Sequence, residues 1–118
     1  MLPPCPNKPN CVSSLAKDEH TTEPFTLVDN STLDEQALIA AIQGMGPKIS
    51  VTKNNHQIHA EFTSRIFGFV DDLDLVIDTK RNVIHLRSAS RTGHYDFGVN
   101  RRRIETLRSL LKERSIIQ

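Results

Sequence analysis

Apolar and polar residues alternate along several consecutive stretches in the second half of this chain. Ile58, Ala60 and Phe62 interleave with His59, Glu61 and Thr63, which predicts a half-buried strand over 56–64. Leu73, Leu75 and Ile77 interleave with Asp72, Asp74, Val76 and Asp78, and Val83 to Ser90 follows beyond a Thr79-Lys80-Arg81-Asn82 turn. These two runs read as a hairpin. A shorter strand, Ile49 to Lys53, precedes them across an Asn54-Asn55 turn, where Asn tolerates positive φ. Phe67-Gly68-Phe69 breaks the alternation and reads as a bulge or corner.

The period lengthens on either side of the strands. Leu38, Ala41, Ile42 and Met45 fall at i, i+3, i+4 and i+7, one face of a helix over 32–45. Thr32 and Glu35 form a capping box, Asp34 and Glu35 suit the first turn, and Gly44, Gly46 and Pro47 end it. A second helix is expected from Asn100, as its cap, to about Ser115, with Ile104, Leu107, Leu110 and Leu111 inward.

Residues 1–30 carry no such period. Pro3, Pro4, Pro6 and Pro9 and the polar run SSLAKDEHTTEP predict an extended arm, anchored by Val12, Phe25, Leu27 and Val28. The expected architecture is α+β. A four-stranded antiparallel meander carries an N-terminal and a C-terminal helix on one face, and a Pro-rich arm precedes it. The arm spans 1–30 and a single domain spans 31–118.

Composition narrows the partners. The chain has 118 residues, 37% of them apolar, no tryptophan and five phenylalanines, enough for one modest core. A net charge of +1 implies no general affinity for nucleic acid or anionic membrane, so any basic function is local. No apolar run approaches the roughly 20 residues that cross a bilayer. MLPPCPNKPNC is too polar and Pro-rich for a signal peptide. As written, the chain reads as soluble and cytoplasmic.

The chemistry concentrates between Ser64 and Arg103. Arg101, Arg102 and Arg103 open the second helix, where the macrodipole makes each cation unfavourable by about 0.3–1 kcal/mol. An answering negative charge is therefore expected, from Asp71, Asp72 or Asp96 or from a bound anion. Arg87 and Arg91 bracket Ser88 and Ser90, and Arg65 follows Ser64. The predicted cluster is Ser64, Arg65, Asp71, Asp72, Arg87, Ser88, Ser90, Arg91, Asp96, Asn100 and Arg101, where helical spacing lets only one or two of Arg101, Arg102 and Arg103 face it and does not select which. Neighbours on one strand, such as Asp71 and Asp72, point to opposite faces, which argues against a simple chelating pair.

The cluster supports three readings. A closed Arg–Asp network would pin loops to the sheet. A site for a small anion, such as phosphate, sulfate, a carboxylate or a lipid headgroup, would use the arginines as holders and the serines and Asn100 as donors. A hydrolase-like enzyme would use Ser64, Ser88, Ser90 or an Asp with His94 or His85 as base. No GxSxG, HExxH, Walker or GxGxxG motif is present, so a non-enzymatic binding or scaffold module is favoured. No cofactor is expected. His56 and His59 face opposite sides of their strand, and no metal site is expected from them. Cys5 and Cys11 flank PNKPN, a loop that closes readily as a disulfide in an oxidising compartment or carries free thiols in a reducing one. Phe67 and Phe69 would mark an interface if exposed. A homodimer is compatible with the strand edges, but no residue pattern specifies it.

PCPNKPNCVSS, FTSRIFGFVDD and RSASRTGHYDFGVNRRRIETLR, in that order, resemble the bacterial and plastid family known as domain of unknown function 1499. The resemblance covers nearly the whole chain. It implies a shared fold and residue pattern but no activity, so it assigns no catalytic role. Many relatives sit behind a leader or membrane segment, and this chain would be periplasmic or membrane-associated if such a leader preceded it.

Overall fold

The computed structural model describes residues 2–28 and 33–118. In chain order the elements are β1 (Cys11–Ser13), β2 (Phe25–Thr26), α1 (Glu35–Gln43), β3 (Ile49–Asn54), β4 (Gln57–Thr63), β5 (Val70–Asp78), β6 (Val83–Ser90) and α2 (Val99–Glu113). The fold is α+β, with an antiparallel sheet in the order β1-β6-β5-β4-β3 and with β2 also on β6.

The sheet is 6-stranded, which corrects the expected four. The two additional strands come from the segment read as an arm. β1 pairs Val12 with Ser88, and β2 pairs Phe25 with Ile84, so together they cover the outer edge of β6. An uncovered edge exposes unpaired backbone groups, and these short segments satisfy them. Val12, Phe25 and Leu27 are buried as expected of anchors, whereas Val28 is exposed. Arg101 donates to the carbonyls of Thr21 and Glu19, and Arg108 to those of Pro24 and Glu23. The α2 arginines thereby hold residues 19–24 in place.

Alternation puts Ile58, Ala60, Leu73, Leu75, Ile84 and Leu86 on one sheet face. They form a single core with Leu38, Ala41 and Ile42 of α1 and Ile104, Leu107 and Leu111 of α2. Two boundaries move. The β3–β4 turn is Asn55-His56, one residue later than expected, with Asn55 at φ 56° and Asn54 paired with Gln57. Phe67-Gly68-Phe69 belongs to the β4–β5 connection, with Gly68 at φ 67°. The Thr32 part of the expected capping box lies outside the described residues. Asp34 is the N-cap of α1, its carboxylate accepting from the backbone N–H of Ala37 at 3.1 Å.

The N-terminal segment is tied twice. Cys5 and Cys11 are joined as a disulfide. His20, buried, has Nε2 at 2.7 Å from the carbonyl oxygen of Lys8 and Nδ1 at 2.9 Å from the Asp18 carboxylate. Neither partner has a proton to give, so the ring makes both bonds only as the imidazolium. The Asp18 hydrogen bond and then the Lys8 carbonyl hold its pKa above the usual histidine value, against the cost of burial. A raised folded-state pKa stabilises fully below the unfolded value of about 6.5 and is lost as pH rises through the folded value. The urea midpoint of the wild type should therefore exceed that of His20→Gln at about pH 6, and the gap should narrow by about pH 9. A gap that does not change with pH would refute the imidazolium assignment.

Candidate functional site

Sheet parity divides the predicted cluster between two faces. On the helix side, Asp71 follows Phe62 in register and faces Ser90, while Ser88 sits deeper, opposite Leu73. The first turn of α2 crosses this end of the sheet and lowers Asn100 and Arg103 onto it. Asn100 is fully buried and is the hub. Its Oδ1 accepts from Ser88 Oγ at 2.7 Å and Arg103 Nη1 at 2.7 Å. Its Nδ2 donates to Asp96 Oδ2 at 2.8 Å, Ser90 Oγ at 2.9 Å and the Asn10 carbonyl at 3.2 Å. A guanidinium only donates and a carboxylate only accepts, so these partners dictate the orientation of the amide.

Asn100 does not cap α2, contrary to expectation. Gly98, at φ 78°, holds the cap position, a conformation that Gly adopts without steric cost. Asp96 supplies the missing acceptor, taking the backbone N–H of Gly98 at 2.8 Å and of Asn100 at 3.0 Å. Burial disfavours its charged form. The Asn100 side chain and the backbone N–H groups of Asn100 and Gly98 outweigh that cost and hold its pKa below the usual carboxylate range. A negative charge at a helix N-terminus also answers the macrodipole.

Arg103 is the arginine of the triplet that turns inward. Its Nη2 pairs with Asp71 at 2.7 Å, both side chains nearly buried, and its guanidinium lies 4.6 Å from the centre of the Phe62 ring. The expected cluster named Arg101 and left open which of the three arginines turns inward. Arg101 instead reaches the Thr21 and Glu19 carbonyls, and Arg102 donates to the Phe97 carbonyl. Asn10 was also missed. It sits beside β6, outside any periodic segment, so no sequence signal points to it.

The opposite face carries Asp72, Arg87 and Arg91. Arg91 grips Asp72 with Nε and Nη2 at 2.8 and 2.9 Å and reaches Glu61 at 2.8 Å. This grip holds the Asp72 carboxyl below its usual range, the Arg91 hydrogen bond being the largest cause. His59 stands among Asp74 at 2.7 Å, Asp72 at 3.3 Å and Glu61 at 3.5 Å. Partial burial opposes its protonation, but the Asp74 hydrogen bond and the surrounding carboxylates push its pKa up. Arg87 donates to the Pro4 carbonyl and leaves its Nε buried without a partner. Ser64 and Arg65 join neither group. Both are exposed at the β4–β5 connection, where the Ser64 hydroxyl accepts from the Phe69 N–H. His94 is exposed in the β6–α2 loop.

Above the helix-side network lies a cleft of about 560 Å³. Lys48, Ser64, Asp71, Ser90, Asp96 and Arg103 contribute polar groups, so Ser64 of the predicted cluster reaches the cleft rim, and Met45, Pro47, Phe62, Phe69, Tyr95 and Val99 contribute apolar walls. Three connections frame it: the α1–β3 turn, the β4–β5 turn and the β6–α2 loop. Small-molecule sites commonly have this volume and this mixture of apolar wall and few convergent polar groups.

A family model described as protein of unknown function (DUF1499) matches residues 1–111. No curated protein and no solved structure matches the chain. Among the described residues, no helix is long and apolar enough to cross a membrane.

Proposed function

We propose, for a chain that belongs to the family described as protein of unknown function (DUF1499), a non-enzymatic binding role in which the cleft holds a small amphipathic molecule. The observation that carries this reading is the pairing of apolar walls with a short polar floor of Asp71, Ser90, Asp96 and Arg103. The walls would take the apolar body of the ligand, and the floor would bond its polar end. Burying apolar area supplies affinity at roughly 25 cal/mol per Å², while the floor selects a head that both donates and accepts.

The anion reading has less support. A phosphate or sulfate in the cleft would meet Lys48 at its wall, but it would face the Asp71 and Asp96 carboxylates and would have to compete with Asp71 for Arg103, and on the other face with Asp72 and Glu61 for Arg91. The scaffold reading fits the Asn100 hub well but leaves the cleft without a role. For the hydrolase alternative, Ser88 donates its hydroxyl proton to Asn100 and lies fully buried, and His94 stands exposed on its loop. That arrangement lacks the nucleophile–base hydrogen bond that activates a serine.

Thermal-shift measurements with medium-chain alcohols and amides, set against inorganic phosphate and sulfate, test the reading. Amphiphiles should raise the melting temperature by linkage. Val99→Trp, which fills the cleft from its rim, should abolish the rise. A shift with phosphate or sulfate alone would favour the anion reading. No shift with any amphiphile, or one that persists in Val99→Trp, would count against the cleft.

A further inference from the structure

The loops that frame the cleft expose large apolar side chains. Ile66, Phe67 and Phe69 in the β4–β5 connection and Tyr95 and Phe97 in the β6–α2 loop are between 55% and 85% exposed. A scattered surface apolar residue needs no explanation, but a concentration on two loops around one opening does. The rings are organised among themselves. Phe67 stacks on Phe69 with centroids 5.5 Å apart, and Tyr95 meets Phe97 edge-on at 4.9 Å. Phe97 holds φ 55°, a conformation that a bulky side chain disfavours, while its ring stands 76% exposed.

Exposed cations outnumber carboxylates around these rings. Lys48, Arg65 and Arg102 are exposed in or beside the same connections and have no carboxylate partner among the described residues. Asp96, the carboxylate of the β6–α2 loop, is turned inward onto Gly98 and Asn100. Asp71 is paired with Arg103, and Asp72 and Glu61 share Arg91 on the opposite face of the sheet. The near-neutral total charge of +1 therefore conceals a locally cationic rim around an aromatic tip.

We propose that this tip docks on an anionic lipid surface, with Ile66, Phe67, Phe69, Tyr95 and Phe97 entering the interfacial layer and Lys48, Arg65 and Arg102 meeting the headgroups. Aromatic side chains favour the membrane–water boundary. Basic residues beside them add the second attraction that a weak apolar anchor needs. The charge pattern selects this occupant, since a second copy of the chain would bring cation against cation. Docking rests on the loops rather than on an occupied cleft, although it would turn the cleft mouth toward the bilayer.

The experiment is co-sedimentation of the full chain with phosphatidylcholine vesicles, with and without phosphatidylglycerol. Binding should appear with the mixed vesicles at low salt and weaken as salt is added. Lys48→Gln with Arg65→Gln should lower partitioning about fivefold per cation, the equivalent of ~1 kcal/mol each. Phe67→Ser with Phe97→Ser should abolish it. Should the serine variant melt below the parent, the glutamine variant, which alters two exposed side chains, decides alone. Val99→Trp should bind vesicles undiminished, so failure of the cleft reading leaves this result separate. No binding by the parent, or equal binding by both double variants and the parent, overturns the proposal. So does a parent that sediments as a dimer dispersed by Phe67→Ser with Phe97→Ser, which would make the tip a protein interface.

Discussion

Asn100→Leu is expected to destabilise the protein by about 4 kcal/mol or more. Bonds to the charged Arg103 and Asp96 are worth roughly 1.5–3 kcal/mol each, and those to neutral partners about 1 kcal/mol. Leucine returns about 2 kcal/mol through apolar burial but leaves the Ser88 hydroxyl proton without its acceptor and the Asp96 carboxylate short of a donor, while Arg103 keeps only its longer 3.2 Å bond to Ser88 Oγ. Against a total stability on the order of 5–15 kcal/mol, the loss is large. Denaturant midpoints at unchanged m measure it. Asn100→Asp sharpens the test, because it keeps the shape and sets a second carboxylate against Asp96. Its new carboxyl should have a raised pKa in the folded state, so its deficit should shrink as pH falls toward the unfolded value of about 3.9 and grow as pH rises above it. A loss below about 1 kcal/mol for the leucine variant would mean that Asn100 is not the hub.

Arg103→Met is expected to cost about 3 kcal/mol or more. Removing one partner of a nearly buried pair leaves the other as an uncompensated charge, a cost of roughly 3–5 kcal/mol. The Asp71 and Arg103 side chains are 15% and 11% exposed, which places them near the lower end of that range. Methionine keeps much of the packing on Phe62 but loses the cation–π contact. Adding Asp71→Leu should restore most of the stability, since two apolar side chains in place of an ion pair are often neutral. The double-mutant cycle separates this pairing from mere loss of packing, and additive single effects would rule it out.

How the two arginine groups divide was partly legible. Period-2 alternation assigns Asp71, Ser88 and Ser90 to the core side and Asp72, Arg87 and Arg91 to the other. The predicted cluster nevertheless spanned both faces, since strand parity does not say which strand ends meet α2. The first turn of α2 was harder to read. Arg101, Arg102 and Arg103 have the same chemistry, and only the way α2 crosses β6 selects Arg103 for Asp71 and leaves Arg101 to the Thr21 carbonyl. The requirement for negative charge near that turn was readable from the macrodipole. That Asp96 would meet it from within the loop, displacing Asn100 from the cap, depended on Gly98 taking the left-handed conformation.

By itself, the sequence determined the strands β4, β5 and β6, the inner face of each and the helical face of α2. These follow from side-chain direction within a residue or two and from the gain in burying the apolar set together. It also determined that so many arginines in one stretch would need answering charge. Only the tertiary structure decided that Cys11–Ser13 and Phe25–Thr26 become strands, because segments so short have no period and exist by virtue of the β6 edge that bonds them. It likewise decided that Asn10, Ser88, Asp96, Asn100 and Arg103 meet beneath a cleft, since that convergence depends on contacts between residues far apart in the chain, which local propensity does not encode.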